Sequence, residues 1–398
     1  MRDLKHVIYF ESLLQEANNA LVKQACSDGK LALAYNCSYI PEPLLDIEGC
    51  FGVRLRAPGC ANPDLATHYM TNRSCPYSKS ILERAFEGGY NFISALIGQE
   101  CCTTMNRMEQ YFDYCGLIPN EKFFTACIDM PIKKGDWYAG YFRRQIEKKI
   151  IAPMQETYGV DYSEEKLLDS IERHNEICRL ITEIGNFRKL DEPTITGYEF
   201  HVIQLVTEVC PKYLIVDKLR ETLEELKTRE PDEKPQYRAK VMLAGSEIDD
   251  PEFTKLVEMC GARVVADRYC FGSLPGREEI VVKEGQHPLD ALAEHYMTIN
   301  ECPRAMGSDN IIARKNYLYD IAKEYKADGI ILQNMKFCEY WGYERAIAAK
   351  WLAEGLNVPS AIPTCQIERD YANAATGQLR TRFQAFVESL EIKRIQGK

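Results

Sequence analysis

Short apolar runs alternate with amphipathic stretches along the first third of the chain. A short apolar run bounded by turn residues predicts a buried strand, and apolar residues spaced three and four apart predict a helix. Because the two kinds of segment alternate, the pattern indicates a parallel, doubly wound sheet with helices on its faces. The predicted strands span 31–36, 90–98 and 123–128, and the predicted helices span 76–86 and 104–114.

The middle of the chain is helical in pattern. From 137 to about 229 apolar residues recur at helical spacing, as Leu167 and Ile171 illustrate, and Ser163 followed by two glutamates is an N-terminal helix signal. The charged segment 228–235 contains two prolines and predicts an exposed linker. This part of the chain therefore predicts a helical connecting region.

A second series of strands and helices follows the linker with the same rhythm as the first. We therefore predict two related, doubly wound, Rossmann-like α/β domains that face each other, joined by the helical connecting region. The predicted strands span 240–246, 262–266, 329–333 and 360–363, and the helices span 251–260, 313–325 and a stretch after Cys338. The predicted units are a first α/β domain with an N-terminal helix at 1–136, the helical region and linker at 137–235, and a second α/β domain at 236–398.

Charge and hydropathy exclude several kinds of partner. The 398 residues carry a net charge of −10, which disfavours nucleic acid and anionic membrane surfaces because both require clustered basic side chains. The N-terminus lacks the apolar core of a signal peptide, and no apolar stretch approaches the length of a membrane span. We therefore expect a cytoplasmic protein that binds neither nucleic acid nor membrane.

The sixteen cysteines are the most informative part of the composition. A reducing cytoplasm keeps thiols free and domains of this size need no disulfides, so packing, catalysis and metal binding remain as explanations. Packing explains best the cysteines at apolar positions of predicted helices, which are Cys26, Cys115, Cys178, Cys210 and Cys260. Others stand at or near strand ends, or in loops before a proline: Cys37, Cys75, Cys101, Cys102, Cys127, Cys270, Cys302 and Cys338.

The strand-end cysteines predict a shared site. Ligands of open parallel sheets bind beyond the carboxyl ends of the strands, so two facing domains would bring these thiols into one cleft. No Cys-x-x-Cys pair occurs and the six histidines are scattered, which weakens zinc-ribbon, thioredoxin-like and ferredoxin-like interpretations. Zinc, cuprous copper and iron–sulfur clusters all remain compatible with distant thiolate ligands. No Walker-type phosphate loop occurs, so the chain shows no ATP site of its own.

Five sequence motifs surround or follow these cysteines. They are Asn36-Cys-Ser-Tyr-Ile-Pro41, Ser74-Cys-Pro-Tyr-Ser-Lys79, Glu100-Cys-Cys-Thr-Thr-Met-Asn-Arg107, Lys336-Phe-Cys-Glu339, and Ile367-Glu-Arg-Asp370 with Gly377-Gln-Leu-Arg-Thr-Arg382. Over nearly the whole chain they resemble the 2-hydroxyacyl-CoA dehydratase and benzoyl-CoA reductase family. The resemblance implies two Rossmann-like domains, a helical portion and an iron–sulfur cluster held by three cysteines. By motif these cysteines are Cys75, Cys102, with Cys101 as its nearest competitor, and Cys338.

Three further cysteines extend the resemblance. Cys37, Cys270 and Cys302 are similar to positions in the family's double-cubane cluster proteins, in which six cysteines hold an 8Fe-9S cluster and the assembly is a homodimer. A dehydratase subunit needs only three ligands, so the extra three favour the double-cubane subgroup. Thr103 and Phe271 stand where the family often has aspartate and threonine, which changes the hydrogen bonding around the ligand sulfurs. Cys60 and Cys127 are the substitutes for any wrongly assigned ligand.

The resemblance also implies a partner and a reaction. A separate ATP-hydrolysing iron–sulfur activator would dock and inject one low-potential electron, which makes the chain an ATP-dependent reductase of small molecules that are hard to reduce. The rival is one subunit of a heterodimeric 2-hydroxyacyl-CoA dehydratase, a lyase, or of a benzoyl-CoA reductase, with one 4Fe-4S cluster. A non-catalytic iron–sulfur scaffold and a zinc protein are further alternatives. No catalytic residue is assigned, because surface or helix-capping roles account better for Glu100, Arg107, Glu339 and Glu344.

Overall fold

Two four-stranded parallel sheets form the frame of the protein. The computed structural model describes residues 1–100, 102–133, 135–234, 236–272, 278–299, 302–355, 358–372 and 376–397. Every pair of neighbouring strands in the two sheets is parallel, which confirms the predicted α/β class. The strands are β1 (Leu31–Tyr35), β2 (Cys50–Arg54), β3 (Ile93–Gln99) and β4 (Phe124–Ile128) in the first sheet, and β5 (Ala239–Gly245), β6 (Ala262–Tyr269), β7 (Gly329–Met335) and β8 (Thr364–Arg369) in the second.

Both sheets have the same strand order. It is β2-β1-β3-β4 in the first and β6-β5-β7-β8 in the second, so the order reverses between the two central strands of each sheet. Such a reversal opens a crevice beyond the carboxyl ends of those strands, where ligands of this fold bind. In the first sheet these ends lead to Cys37 and Cys102, and in the second they lead to Glu247 and Cys338.

Helices cover the sheets and connect them. In the first unit they are α1 (Val7–Leu13), α2 (Ala20–Ser27), α3 (Glu42–Leu45), α4 (Asp64–Tyr69), α5 (Pro76–Phe86) and α6 (Thr103–Tyr114). The connecting region contains α7 (Asp136–Ile146), a π-helical turn (Glu147–Ile151), α8 (Ala152–Tyr158), α9 (Glu164–Asn186), a 3-10 turn (Phe187–Lys189), α10 (Gly197–Val209) and α11 (Lys212–Thr228). The second unit has α12 (Pro251–Met259), α13 (Pro288–Ile299), α14 (Ser308–Glu324), α15 (Glu339–Glu354) and α16 (Thr376–Ile395). Within the described ranges, no helix has the length and apolarity needed to cross a membrane.

One helix of the connecting region lies in the centre of the molecule. In α10 every residue except Tyr198 is buried, which explains why its sequence is apolar on nearly all sides. The helix begins with a capping box, in which the side chains of Thr196 and Glu199 each accept a hydrogen bond from the other residue's backbone N–H. The helix packs against β2 of the first sheet and β6 of the second, so it joins the two units into one core.

The segment after β6 leaves its own sheet and packs on the first unit. Tyr296 of α13 accepts a hydrogen bond from the backbone N–H of Glu42 at 3.0 Å, and Asp290 pairs with Arg143 at 2.6 Å. Leu292 shares a hydrophobic cluster with Leu33 of β1. This excursion brings Cys302 towards the first sheet, which no sequence pattern indicated. The domain boundaries at 136 and 235 stay predictions.

One predicted strand is wrong and one strand escapes the sequence pattern. Residues 360–363 form no strand, and β8 begins at Thr364, directly after Pro363. Pro363 has no N–H to donate to a neighbouring strand. Its carbonyl accepts a hydrogen bond from the backbone N–H of Ile330 at 2.9 Å. All five residues of β2 are buried, but Gly52 and Arg54 interrupt the apolar run by which a strand is recognised.

We expect replacement of Gly245 by alanine to destabilise the fold. Gly245 ends β5 with φ of 145°, and an added Cβ would overlap the carbonyl oxygen of Gln333 on β7. Backbone cannot move aside in a close-packed sheet, so the expected loss is more than about 2 kcal/mol in free energy of unfolding, measured by urea denaturation. The control is Gly377→Ala in α16, where nothing lies within 4 Å of the added atom and the expected change is below about 0.5 kcal/mol. Equal stability of both variants would contradict the packing described here.

Candidate metal centre

Five of the six predicted ligand cysteines line one cavity, where the carboxyl ends of the two sheets meet. We call it the cysteine cavity. Cys75, the sixth, is buried beside it. The thiols that the sequence placed at strand ends in both halves therefore come together. The cavity is lined by Asn36, Cys37, Ser38, Tyr39, Arg54, Cys102, Met105, Glu247, Cys270, Cys302, Arg304, Cys338, Tyr340 and Trp341.

Three of the cysteines, here called the helix trio, each stand at the N-cap of a helix. Cys75 precedes α5, Cys102 precedes α6 and Cys338 precedes α15. Pro76 occupies the first position of α5, where its missing N–H costs nothing. The N-terminus of a helix presents free backbone N–H groups and the positive end of the helix dipole. Three such ends at three thiols form an environment that favours negative charge.

The thiols of the helix trio affect one another's pKa values. Burial raises the pKa of the Cys75 thiol to about 12, and the carboxyl of Glu247 and the thiol of Cys102 raise it too. The backbone amide of Ser78, in the first turn of α5, lowers the same pKa. Burial, Glu247, Cys75 and Cys102 likewise raise the pKa of Cys338. These three thiols therefore interact although they come from both halves of the chain.

The other three cysteines, here called the loop trio, lie in loops, and buried arginines hold the backbone of two of them. Arg54 of β2 donates to the backbone carbonyl of Cys270 at 2.7 Å and lies 3.9 Å from the ring of Phe271. Arg314 of α14 donates to the carbonyl of Cys302 at 3.3 Å. Both arginines are buried and are neutralised by buried glutamates, Arg54 by Glu208 at 3.2 Å and Arg314 by Glu344 at 2.8 Å. The loop trio consists of Cys37, Cys270 and Cys302.

The loop trio is also electrostatically coupled. Burial raises the pKa of Cys302 to about 12, and the thiol of Cys37 raises it further. Burial, Glu247, Cys302 and Cys37 raise the pKa of Cys270, whereas the guanidinium of Arg54 lowers it. Two groups of three thiols thus lie at the cavity, five of them in its lining and Cys75 beside it. Each group draws on both halves of the chain.

Polar atoms around the cavity lack protein partners. The side-chain oxygen Oδ1 of Asn36, Nε2 of Gln99 and Nε of Arg54 are buried without a hydrogen bond in the described part of the chain. Buried polar groups are normally satisfied, so these three atoms are available to bond water or a group bound in the cavity. In the described ranges no three His, Cys, Asp or Glu side chains converge on a point that would hold one metal ion. Cluster ligands bind separate irons and therefore surround the group instead of meeting at a point.

Several predicted candidates lie elsewhere. Cys101 falls outside the described residues. Cys60 lines a different cavity, beside Arg56, and Cys127, the penultimate residue of β4, lines a third cavity. Among the cysteines assigned to packing, Cys178, Cys210 and Cys260 are buried, while Cys26 and Cys115 are partly exposed.

One carboxylate at the cavity was missed by sequence reasoning. Glu247 follows β5 and is the only acidic residue among those that line the cysteine cavity in the described structure. It raises the pKa of Cys75 and Cys338 in one trio and of Cys270 in the other, so its charge acts on both trios. Nothing near it in sequence marks it, because its position depends on the strand order of the second sheet.

A second missed carboxylate lies behind the cavity. Glu109 of α6 is 4% exposed, accepts a hydrogen bond from the side-chain amide of Asn36 and bonds the thiol of Cys127. Burial raises its pKa to about 8. Gly98 of β3 makes room for it, since a Cβ at that position would overlap the carboxyl group. The only sequence signal is this glycine inside an otherwise apolar strand.

Comparison with known proteins agrees with this geometry. The profile of the family described as 2-hydroxyglutaryl-CoA dehydratase, D-component, matches residues 37–390. That range contains all six predicted ligand cysteines.

Curated relatives align over almost their full lengths. The beta subunit of (R)-phenyllactyl-CoA dehydratase from Clostridium sporogenes is 25% identical over 96% of this chain and 97% of its own. The beta subunit of lactoyl-CoA dehydratase from Anaerotignum propionicum is 22% identical over 91% and 92%. The beta subunit of (R)-2-hydroxyglutaryl-CoA dehydratase from Acidaminococcus fermentans is 22% identical over 92% and 93%. The profile match over most of the chain and these full-length relatives show that the chain belongs to the 2-hydroxyacyl-CoA dehydratase family.

Proposed function

We propose that the chain is an iron–sulfur reductase of the double-cubane type, in which six cysteines hold an 8Fe-9S cluster. It receives low-potential electrons from a separate ATP-hydrolysing activator and passes them to small molecules that are hard to reduce. The ligands are Cys75, Cys102 and Cys338 for one half of the cluster, and Cys37, Cys270 and Cys302 for the other.

The main support for a double-cubane cluster is the presence of two cysteine trios at one cavity. A single 4Fe-4S cluster with three protein ligands would use the helix trio and leave the loop trio without a purpose. Burying a charged side chain costs free energy. Arg54 and Arg314 are nevertheless both buried, and they donate hydrogen bonds to the backbone carbonyls of Cys270 and Cys302. These hydrogen bonds position two cysteines of the loop trio and so support the larger cluster.

The residues around the trios have distinct tasks in this proposal. When bound, such a cluster supplies electrons one at a time at low potential. The N-termini of α5, α6 and α15 stabilise negative charge at the helix trio. Arg54 stabilises negative charge at Cys270, whereas the carboxyl of Glu247 opposes it. Opposed charges of this kind tune a reduction potential through the field at the sulfurs.

A second cleft gives small molecules access to the cysteine cavity. It has a volume of about 620 Å³, a size suited to a small ligand, and shares Cys102, Arg304 and Tyr340 with the cysteine cavity. Trp137 and Tyr141 stack on its wall with ring centres 6.2 Å apart. Arg304 donates hydrogen bonds to the backbone carbonyls of Glu100 and Met130, which also line this cleft. We place substrate entry in this cleft.

The deciding experiment measures whether the chain works without a second subunit. The anaerobically purified chain is mixed with an ATP-hydrolysing activator of this family, ATP and a reductant, and its visible absorption is followed. We expect ATP-dependent bleaching by the chain alone, as a homodimer, and turnover of small unsaturated test compounds. Turnover only of 2-hydroxyacyl-CoA thioesters, and only after a second dehydratase subunit is added, would replace this proposal with the heterodimeric dehydratase.

A further inference from the structure

Reduction at a buried site requires protons as well as electrons, and one carboxyl group connects the cysteine cavity with solvent. Glu109 lines an open surface cavity together with Glu100, Asn106, Asp113 and Cys127. On its other side it accepts a hydrogen bond from Asn36, which lines the cysteine cavity. Glu109 is therefore in contact with both spaces, directly on the outside and through Asn36 on the inside.

The protein preserves this buried carboxyl at a cost. A Cβ on Gly98 would displace the Glu109 carboxyl from its present position, so this glycine leaves room for it, although an isolated glycine weakens a central strand. A carboxylate buried without a cationic partner is unfavourable, so a residue kept there for packing alone would be apolar. The oxygen of the Asn36 amide is also buried without a partner in the described structure, so it can accept one further proton-bearing group.

We propose that Glu109 is the proton inlet of the cysteine cavity, an inference that rests on the reductive function proposed above. For each electron that reaches the substrate from the external donor, the Glu109 carboxylic acid releases one proton to a water molecule hydrogen-bonded to Oδ1 of Asn36, that water passes a proton to the reduced substrate, and Glu109 becomes a carboxylate. It then takes one proton from water in the open surface cavity, which restores the acid. Charge is balanced because one proton accompanies each electron.

The protonation state fits this role. Burial raises the pKa of Glu109 to about 8, so at neutral pH most molecules carry the acid form that a proton donor needs. The hydrogen bonds of Asn36 and Cys127 lower this pKa, while the charges of Cys37 and Cys102 raise it. Glu100 and Asp113 share the surface cavity, and Glu100 and Lys149 act on Cys127. None of the largest contributions to the pKa of Glu109 comes from a cationic side chain of the described structure.

Infrared difference spectroscopy tests the inference. Spectra of the cluster-loaded protein are recorded before and after reduction with titanium(III) citrate, in H2O and in D2O. We expect a carboxylic acid C=O band that changes on reduction and shifts in D2O. The band should be absent in Glu109→Gln and present in Glu83→Gln, a control at a buried glutamate that accepts a hydrogen bond from the backbone N–H of Ala66, outside the cysteine cavity.

The outcomes separate this inference from the proposed function. A reducible cluster whose carboxylic acid band persists in Glu109→Gln, or is missing from the unmodified protein, overturns the proton inlet and leaves the reductase intact. A protein with no reducible cluster overturns the proposed function itself. If Glu109→Gln fails to take up a cluster, the cluster-free proteins decide: the acid band of the unmodified protein should titrate near pH 8 and be lost in Glu109→Gln. Its retention there would also contradict the proposal.

Discussion

Cys338→Ser is expected to remove most of the iron from the anaerobically purified protein without unfolding it. Serine is a favoured N-cap residue, so α15 keeps its cap and the second sheet keeps its packing. A hydroxyl is a hard and weakly acidic ligand, whereas iron–sulfur clusters require soft thiolates. Loss of a residue that merely orients a ligand costs 10–100-fold in metal affinity, so loss of the ligand itself should cost roughly 100-fold or more. Iron analysis and visible absorption measure the effect, and circular dichroism verifies the fold.

The matched control for Cys338→Ser is Cys115→Ser. Cys115 is the C-cap residue of α6, is partly exposed and does not line the cysteine cavity. We expect this variant to keep the full iron content and colour. Retention of iron in Cys338→Ser, or equal loss in both variants, would contradict the assignment of the helix trio.

Cys270→Ser is expected to lower the iron content from about eight to about four atoms per chain or fewer, because it removes a ligand of the second half of the cluster. The hydrogen bond of Arg54 goes to the backbone carbonyl of Cys270, so the loop remains anchored. A single 4Fe-4S cluster on the helix trio predicts no loss of iron for this variant. The comparison of Cys270→Ser with Cys338→Ser therefore distinguishes the two cluster types.

Cys60→Ser is the control for Cys270→Ser. Cys60 was a substitute ligand on sequence grounds, but it lines a different cavity. Unchanged iron in Cys60→Ser and reduced iron in Cys270→Ser is the expected pair of results. The opposite pair would show that the loop trio has been assigned wrongly.

The sequence predicted the fold class and the candidate ligands because both depend on local patterns. Alternating runs revealed α5 at Pro76–Phe86 with the bounds that the structure has. Cysteines next to a strand end or before a proline were recognisable without any knowledge of the rest of the chain. Parallel topology then carries such residues to one edge of a sheet, so local placement narrowed the sixteen cysteines to eight, and the family resemblance selected six of these.

The features that the sequence did not reveal depend on distant contacts. Glu109 is one of several polar residues on α6, and its burial results from Gly98 on a different strand. Cys302 reaches the cavity because α13 packs on the first unit, which follows from side-chain packing and not from periodicity. The N-cap position of Cys102 became visible only in the structure, because the sequence pattern placed the start of α6 at 104 and the helix begins at Thr103.

The most direct test of the account is the iron and acid-labile sulfide content of the anaerobically purified chain, combined with EPR of the dithionite-reduced protein. We expect a brown protein with about eight irons per chain and an EPR signal typical of an iron–sulfur cluster. A colourless protein that lacks iron, or one that holds zinc instead, would contradict the central claim that the two cysteine trios hold an iron–sulfur cluster.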